Sequence, residues 1–183
     1  MNNLTEEIRT LIRQPIYANS HSPMKWLNRL EQGALTRDEN PHSHFCVYFL
    51  PFNPETEKLF IIHHKKSGLW LAPGGHIDKE ENLFRTLSRE VMEELGLNNI
   101  HTGYRTVEIF LLTITPINHS IQRQTCQEHF DIWYRFPADG SDFQVDPREF
   151  HSTLWVTIAE ARKLVTDPAN LQAIALMEKL FTT

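Results

Sequence analysis

Glu90, Glu93 and Glu94 are the residues of this chain whose type and spacing point most directly to chemistry. On a helix advancing about 100° per residue they share an arc of about 100°, with Leu83, Leu87, Val91 and Leu95 beside it. A helix from about Glu80 to Leu95 is therefore predicted to bury an apolar stripe and carry a carboxylate cluster along its edge. Such a cluster suits a hard cation, because Mg²⁺ takes oxygen ligands in a near-octahedral shell that water and substrate phosphate complete. The competing reading is a solvated acidic face. Repulsion of about 0.2–0.5 kcal/mol per like-charged i,i+4 pair is too weak to exclude it.

Spacing favours the first reading. Gly75 to Leu97 matches G-x5-E-x7-R-E-U-x-E-E-x-G-U, with U aliphatic, at every specified position. At average residue usage that coincidence arises by chance roughly once in 10⁹ or more positions. The stretch resembles the Nudix box of the Nudix hydrolase family, whose members are MutT-like. Trp70 to Gly75 resembles the family's strand-to-loop entry and Trp155 to Ala161 its later strand-to-helix step, so the resemblance spans roughly residues 41–165. It implies an α/β fold, an α/β/α sandwich around a mixed sheet. It also implies attack of water on a diphosphate that links a nucleoside to another group, with Mg²⁺ as cofactor and Mn²⁺ as the second candidate.

By position, the resemblance makes Glu90, Glu93, Glu94 and the Gly74 carbonyl the metal ligands. Glu81 and Arg89 become a supporting pair that holds the loop and orients Glu90, and Gly75 and Gly96 become turn glycines that need backbone freedom. Metal-assisted hydrolysis needs charge neutralisation, a polarised phosphoryl oxygen, a bound water of lowered pKa and a carboxylate to take its proton. The family draws that base from the box, here Glu93 or Glu94, or from a later loop, where Glu149 stands six residues before Trp155. Glu149 is preferred to its neighbours Glu128, Asp131, Asp142 and Asp146.

Two other functions compete with hydrolysis. An isoprenoid-diphosphate isomerase shares the fold but needs a cysteine before the box, where Leu71-Ala72-Pro73 has none. A non-catalytic nucleotide-binding regulatory module is disfavoured by the intact set Glu81, Arg89, Glu90, Glu93 and Glu94. Substrate choice stays open, because the proline that marks ADP-ribose enzymes and the run that marks NADH enzymes are both missing beside the box. His76 faces the phosphates or packs against the loop with equal weight, and Trp70, Phe110, Phe130 and Trp133 read as core rather than base-stacking residues.

The elements that must position this box follow from periodicity. Residues 1–40 read as a helical extension: Leu4, Ile8, Leu11 and Ile12 share one face of a helix ended by Pro15, and Ser22-Pro23 opens a second, with Trp26, Leu27 and Leu30 inward and Gly33 beyond its end. These are packing or dimerisation helices, so a homodimer is one expectation. Residues 41–183 hold the Nudix domain. His44 to Leu50 and Leu59 to His64 form a hairpin across a Pro51-to-Pro54 turn, and strands are expected near Tyr104–Thr115 and Thr125–Phe136. Thr157 with Glu160 makes a capping box, and Asp167-Pro168 starts a last helix with Leu171, Ile174 and Leu180 inward.

Composition bounds the rest. Among 183 residues, 18 Lys+Arg against 23 Asp+Glu leave a net charge of −5, so no overall basic field attracts a nucleic-acid backbone. A small nucleotide-type molecule is the expected partner. No run is long enough to span a bilayer and no signal-peptide core opens the chain, so a cytoplasmic location is expected. Cys46 and Cys126 each read as reduced thiols within strands rather than metal ligands. His21, His42, His44, His63, His64 and His101 lack ligand spacing and read as scattered surface or strand residues.

Overall fold

The computed structural model describes residues 4–14, 17, 23–98, 100, 106–117 and 125–182. Two helices lead, α1 (Leu4–Ile12) and α2 (Pro23–Glu31). They are followed by β1 (Ser43–Asn53), β2 (Lys58–His64), β3 (Trp70–Leu71), β4 (Gly74–His76), α3 (Leu83–Leu95), β5 (Glu108–Pro116), β6 (Glu128–Pro137), β7 (Phe150–Val156), α4 (Ile158–Leu164) and α5 (Pro168–Phe181). Among the described residues these strands make one mixed sheet in the order β3-β2-β1-β6-β5, with β4 added to β1 and β7 to β2.

β1 organises the sheet. It runs parallel to β6 from Ser43↔Glu128 to Phe52↔Pro137, while its opposite edge meets β4 near Cys46 and β2 near Phe52. Alternation then divides its side chains between two layers. Phe45, Val47 and Phe49 join Leu83, Leu87, Val91 and Leu95 of α3, and Ile8 and Trp26 of the leading helices, in one cluster. Leu50, Leu59, Ile61 and Trp133 join Ala161 of α4 and Ala173, Ile174 and Met177 of α5 in the other. The result is the α/β/α sandwich, with α1 and α2 packed into the layer that carries α3.

Several local expectations shift. The first hairpin does not turn at Pro51: β1 continues to Asn53, whose Oδ1 accepts from the Glu55 and Thr56 amides at 2.9 and 3.0 Å and starts the turn there. Pro51 stays in the strand because it removes only its own N–H and its fixed φ suits extended backbone. α3 begins at Leu83 rather than Glu80, because Asn82 is the N-cap and accepts from the Arg85 amide at 2.9 Å. Glu80 itself has φ 69° and cannot continue a right-handed helix. The Glu7 carboxylate of α1 accepts from the Leu83 amide at 3.1 Å, so the N-terminal extension also caps the box helix.

Leu180 is exposed rather than inward, whereas Ile174 is buried and Leu171 partly so. Cys126 lies just before β6, not in it; Cys46 is a buried thiol of β1, and both are free. The α4 capping box forms as the Thr157–Glu160 spacing predicts, and the Asp167 cap of α5 as the Asp167-Pro168 pair predicts. Pro15, Ser22, Tyr104 and the proposed roles of His21 and His101 lie outside the described residues.

Candidate active site

The box folds as a short strand, a loop and a helix pressed together by two glycines. Gly74 has φ 145°, and a Cβ there would stand 2.7 Å from Tyr48 Cα on the neighbouring strand. Gly75 is required for a different reason from the one its spacing suggests. Its φ is not positive, but a Cβ would stand 2.6 Å from Glu90 Cδ, so absence of a side chain makes room for the carboxylate. Gly96 does act as the turn glycine, with φ 70° at the C-cap of α3 and its amide bonded to the Met92 carbonyl.

Arg89 ties the loop to the helix. Its Nε and Nη2 donate to the two Glu81 carboxylate oxygens at 2.8 and 3.0 Å, Nη1 donates to Glu90 at 2.7 Å and Glu93 at 3.1 Å, and Nη2 also reaches the His76 carbonyl at 2.8 Å. Bidentate charge-assisted bonds of this kind are both strong and directional. Burial raises the Glu81 carboxyl pKa, but the Arg89 and Thr86 hydrogen bonds outweigh it and hold the group below its usual range. Glu81 and Arg89 therefore form one hydrogen-bonded unit.

The three helix carboxylates sit in different environments. Glu93 is exposed, while Glu90 and Glu94 are buried at 7% and 4% exposure, which makes them the two that need a counter-charge. Burial pushes Glu90 up to about 7 despite the opposing Arg89 charge. Burial and then the Glu90 charge push Glu94 well above the carboxylate range, while its Oε2 accepts from the Gly74 amide at 2.6 Å. Two buried, oxygen-only side chains that repel each other are a donor set completed by a hard cation. The chemistry of the residues thus fits the divalent ion that Nudix hydrolases use.

Glu149 lies in the turn before β7, exposed, and its charge contributes to the upward shift of Glu94. Three of its four competitors, Asp146, Glu128 and Asp131, are engaged elsewhere. Asp146 is paired with Arg148, which holds it at about 2, and Glu128 pairs with Lys25 of α2. Asp131 is buried on the opposite layer's face, accepting from Thr113 and Thr115. Phe110, Phe130 and Trp133 are core, and Trp70 stacks on His63.

A family model for the NUDIX domain matches residues 40–177. The chain belongs to the Nudix family. An 8-oxo-dGTP diphosphatase of Buchnera aphidicola is 40% identical over 42 residues, covering 22% of this chain and 34% of that protein. The chain thus spans about a third of the length of the curated relative it matches. The Escherichia coli dihydroneopterin triphosphate pyrophosphohydrolase superposes with a TM-score of 0.62 at 17% identity, covering 71% of this chain and 91% of that one. A MutT protein from Methanosarcina mazei Go1 superposes at 0.57 with 21% identity, covering 77% and 94%. At these identities the superpositions establish the Nudix fold.

One constellation has no signature in the linear sequence. His44, Cys46, His76 and His129 are not scattered: their ligand-capable atoms all lie within 4.8 Å of one another. His76 resolves toward neither alternative weighed for it, since its ring packs on His44 at 4.8 Å and on His129 at 5.1 Å. The signal is invisible as linear spacing because the residues come from β1, β4 and β6. It becomes legible only from strand register, which aligns His44 with His129 and Cys46 with His76.

Proposed function

We propose that this Nudix protein hydrolyses a diphosphate linkage in a small molecule that joins a nucleoside to another group. The single observation that carries the reading is the pair Glu90 and Glu94, buried together beside the Gly74-Gly75 turn and braced by Arg89. In this reading Glu90, Glu93, Glu94 and the Gly74 carbonyl hold Mg²⁺, or Mn²⁺ in its place. When bound, the cation neutralises diphosphate charge and lowers the pKa of a coordinated water.

The chain's own groups do the rest. Arg89 fixes the Glu90 carboxylate and, through the His76 carbonyl, the turn that follows the glycines. The Gly74 amide fixes the Glu94 carboxylate. Glu149, on a loop and free of the Arg89 network, takes the proton of the attacking water; Glu93 and Glu94 are the alternative bases. The 8-oxo-dGTP diphosphatase name of the Buchnera relative supports a nucleoside triphosphate as the first substrate to try. No helix among the described residues is long and apolar enough to cross a membrane.

The test is a panel of nucleoside triphosphates, dinucleoside polyphosphates, nucleotide sugars, NADH, CoA and ADP-ribose, with Mg²⁺ and with excess EDTA. Turnover of at least one substrate that EDTA abolishes is expected. Turnover unchanged in EDTA would refute the metal site, and tight nucleotide binding without turnover on the whole panel would favour a regulatory module.

A further inference from the structure

The four-residue His/Cys constellation stands on the face of the sheet opposite α3. We propose that His44, Cys46, His76 and His129 bind a soft divalent transition ion of the Zn²⁺ class, at a site separate from the glutamate site of the Nudix box.

The donor types argue for the metal class. Three imidazoles and one thiol are nitrogen and sulfur donors, which select Zn²⁺ over the oxygen-seeking Mg²⁺. A tetrahedral ion with bonds of about 2.1 Å needs ligand atoms about 3.4 Å apart, so closure from a spread of at most 4.8 Å requires side-chain adjustments of about 1.4 Å or less. β1, β4 and β6 are hydrogen-bonded neighbours, so their backbones already hold the four positions together without the ion.

Independent observations point to a ligand at this cluster. His129 is 9% exposed, and its Nε2 is a buried polar atom with no hydrogen-bond partner, which a folded chain rarely tolerates. Asp131, whose register partner is Cys46, leaves its buried Oδ1 equally unpartnered. His44 donates from Nδ1 to the Asn40 carbonyl at 2.9 Å, which fixes the tautomer whose Nε2 carries the lone pair; Nε2 now contacts the Cys126 thiol, a weak partner that a metal ion would displace.

On binding, the Cys46 thiol loses its proton to solvent and its sulfur bonds the ion, while three neutral imidazoles donate lone pairs. The site then carries one net positive charge. The nearby buried Asp131 carboxylate balances it, giving that orphaned oxygen an electrostatic role. Because β4 carries Gly74 and Gly75, the ion would tie the loop of the Nudix box to the centre of the sheet.

Co²⁺ serves as the spectroscopic probe, in Cys126→Ser protein with excess Mg²⁺ to occupy the glutamates. Cys126 must be removed because its Sγ lies 3.7 Å from His44 Nε2 and could substitute as the thiolate; Cys46 is then the chain's one sulfhydryl. Saturable one-to-one uptake is expected, with tetrahedral d–d bands and a sulfur-to-cobalt charge-transfer band, both displaced by Zn²⁺. Adding Cys46→Ser should remove the charge-transfer band, and His129→Gln should weaken uptake by at least about 100-fold, melting curves confirming that each variant is folded. Glu93→Gln/Glu94→Gln should leave the cobalt spectrum intact. Absence of the thiolate band, uptake indifferent to His129→Gln, or loss of the spectrum in the glutamate variant would each overturn the proposal.

Discussion

Replacing Arg89 by Ala removes five hydrogen bonds at once, to Glu81, Glu90, Glu93 and the His76 carbonyl, and strands two carboxylates whose side chains are only 17% and 9% exposed. Breaking a buried pair by deleting one partner costs about 3–5 kcal/mol, because the surviving charge stays desolvated. Arg89 is itself 24% exposed and the stranded Glu90 can take up a proton, so the expected loss falls below that range, to about 2–3 kcal/mol. For a chain of this size each kcal/mol moves the melting temperature by about 2–4 °C, giving a drop of about 4–12 °C. Urea unfolding of metal-free protein measures the free energy and calorimetry the midpoint. Arg89→Lys should recover only part of it, since an ammonium keeps the charge but not the two-pronged grip on Glu81. A melting temperature within about 1 °C of wild type for Arg89→Ala would refute the claim that this network holds the loop on the helix.

The other expectations are more local. Gly75→Ala should displace the Glu90 carboxylate that occupies the Cβ position and cost about 1–3 kcal/mol of stability together with most activity; wild-type kinetics in that variant would show that Glu90 needs no fixed position. Glu149→Gln should lower kcat by about 10²–10⁴ with an unchanged melting curve, as an exposed loop base requires; a full-rate enzyme would move the base to Glu93 or Glu94. Asn82→Ala should cost about 1 kcal/mol in urea unfolding by freeing the Arg85 amide, and an undiminished midpoint would mean that the Glu7 contact is a sufficient cap.

The box, its helix and its cap-bearing neighbours were legible in the chain because they rest on local rules. The stripe Leu83, Leu87, Val91, Leu95 and the carboxylates beside it follow from the 3.6-residue helical period, the Thr157 cap from its three-residue spacing to Glu160, and the Asp167 cap from the proline that follows it. Local rules stop short of burial. Glu90, Glu93 and Glu94 look equivalent along the chain, yet only Glu90 and Glu94 are buried, because α3 lies against β4 and β1 along one edge. The same limit explains Gly75, whose missing Cβ matters only once Glu90 arrives from another element.

What tertiary structure alone decided is the meeting of His44, Cys46, His76 and His129. Their positions in sequence carry no ligand spacing, and a slip of one residue in the β1–β6 register would send His129 to the opposite face from the other three. Helical neighbours are set by covalent distance along one segment, whereas cross-strand neighbours are set by which hydrophobic faces the whole sheet must bury. The sequence alone therefore determined the Nudix helix and its carboxylates, while the imidazole and thiol cluster exists only because β1, β4 and β6 are aligned by the packing of two cores.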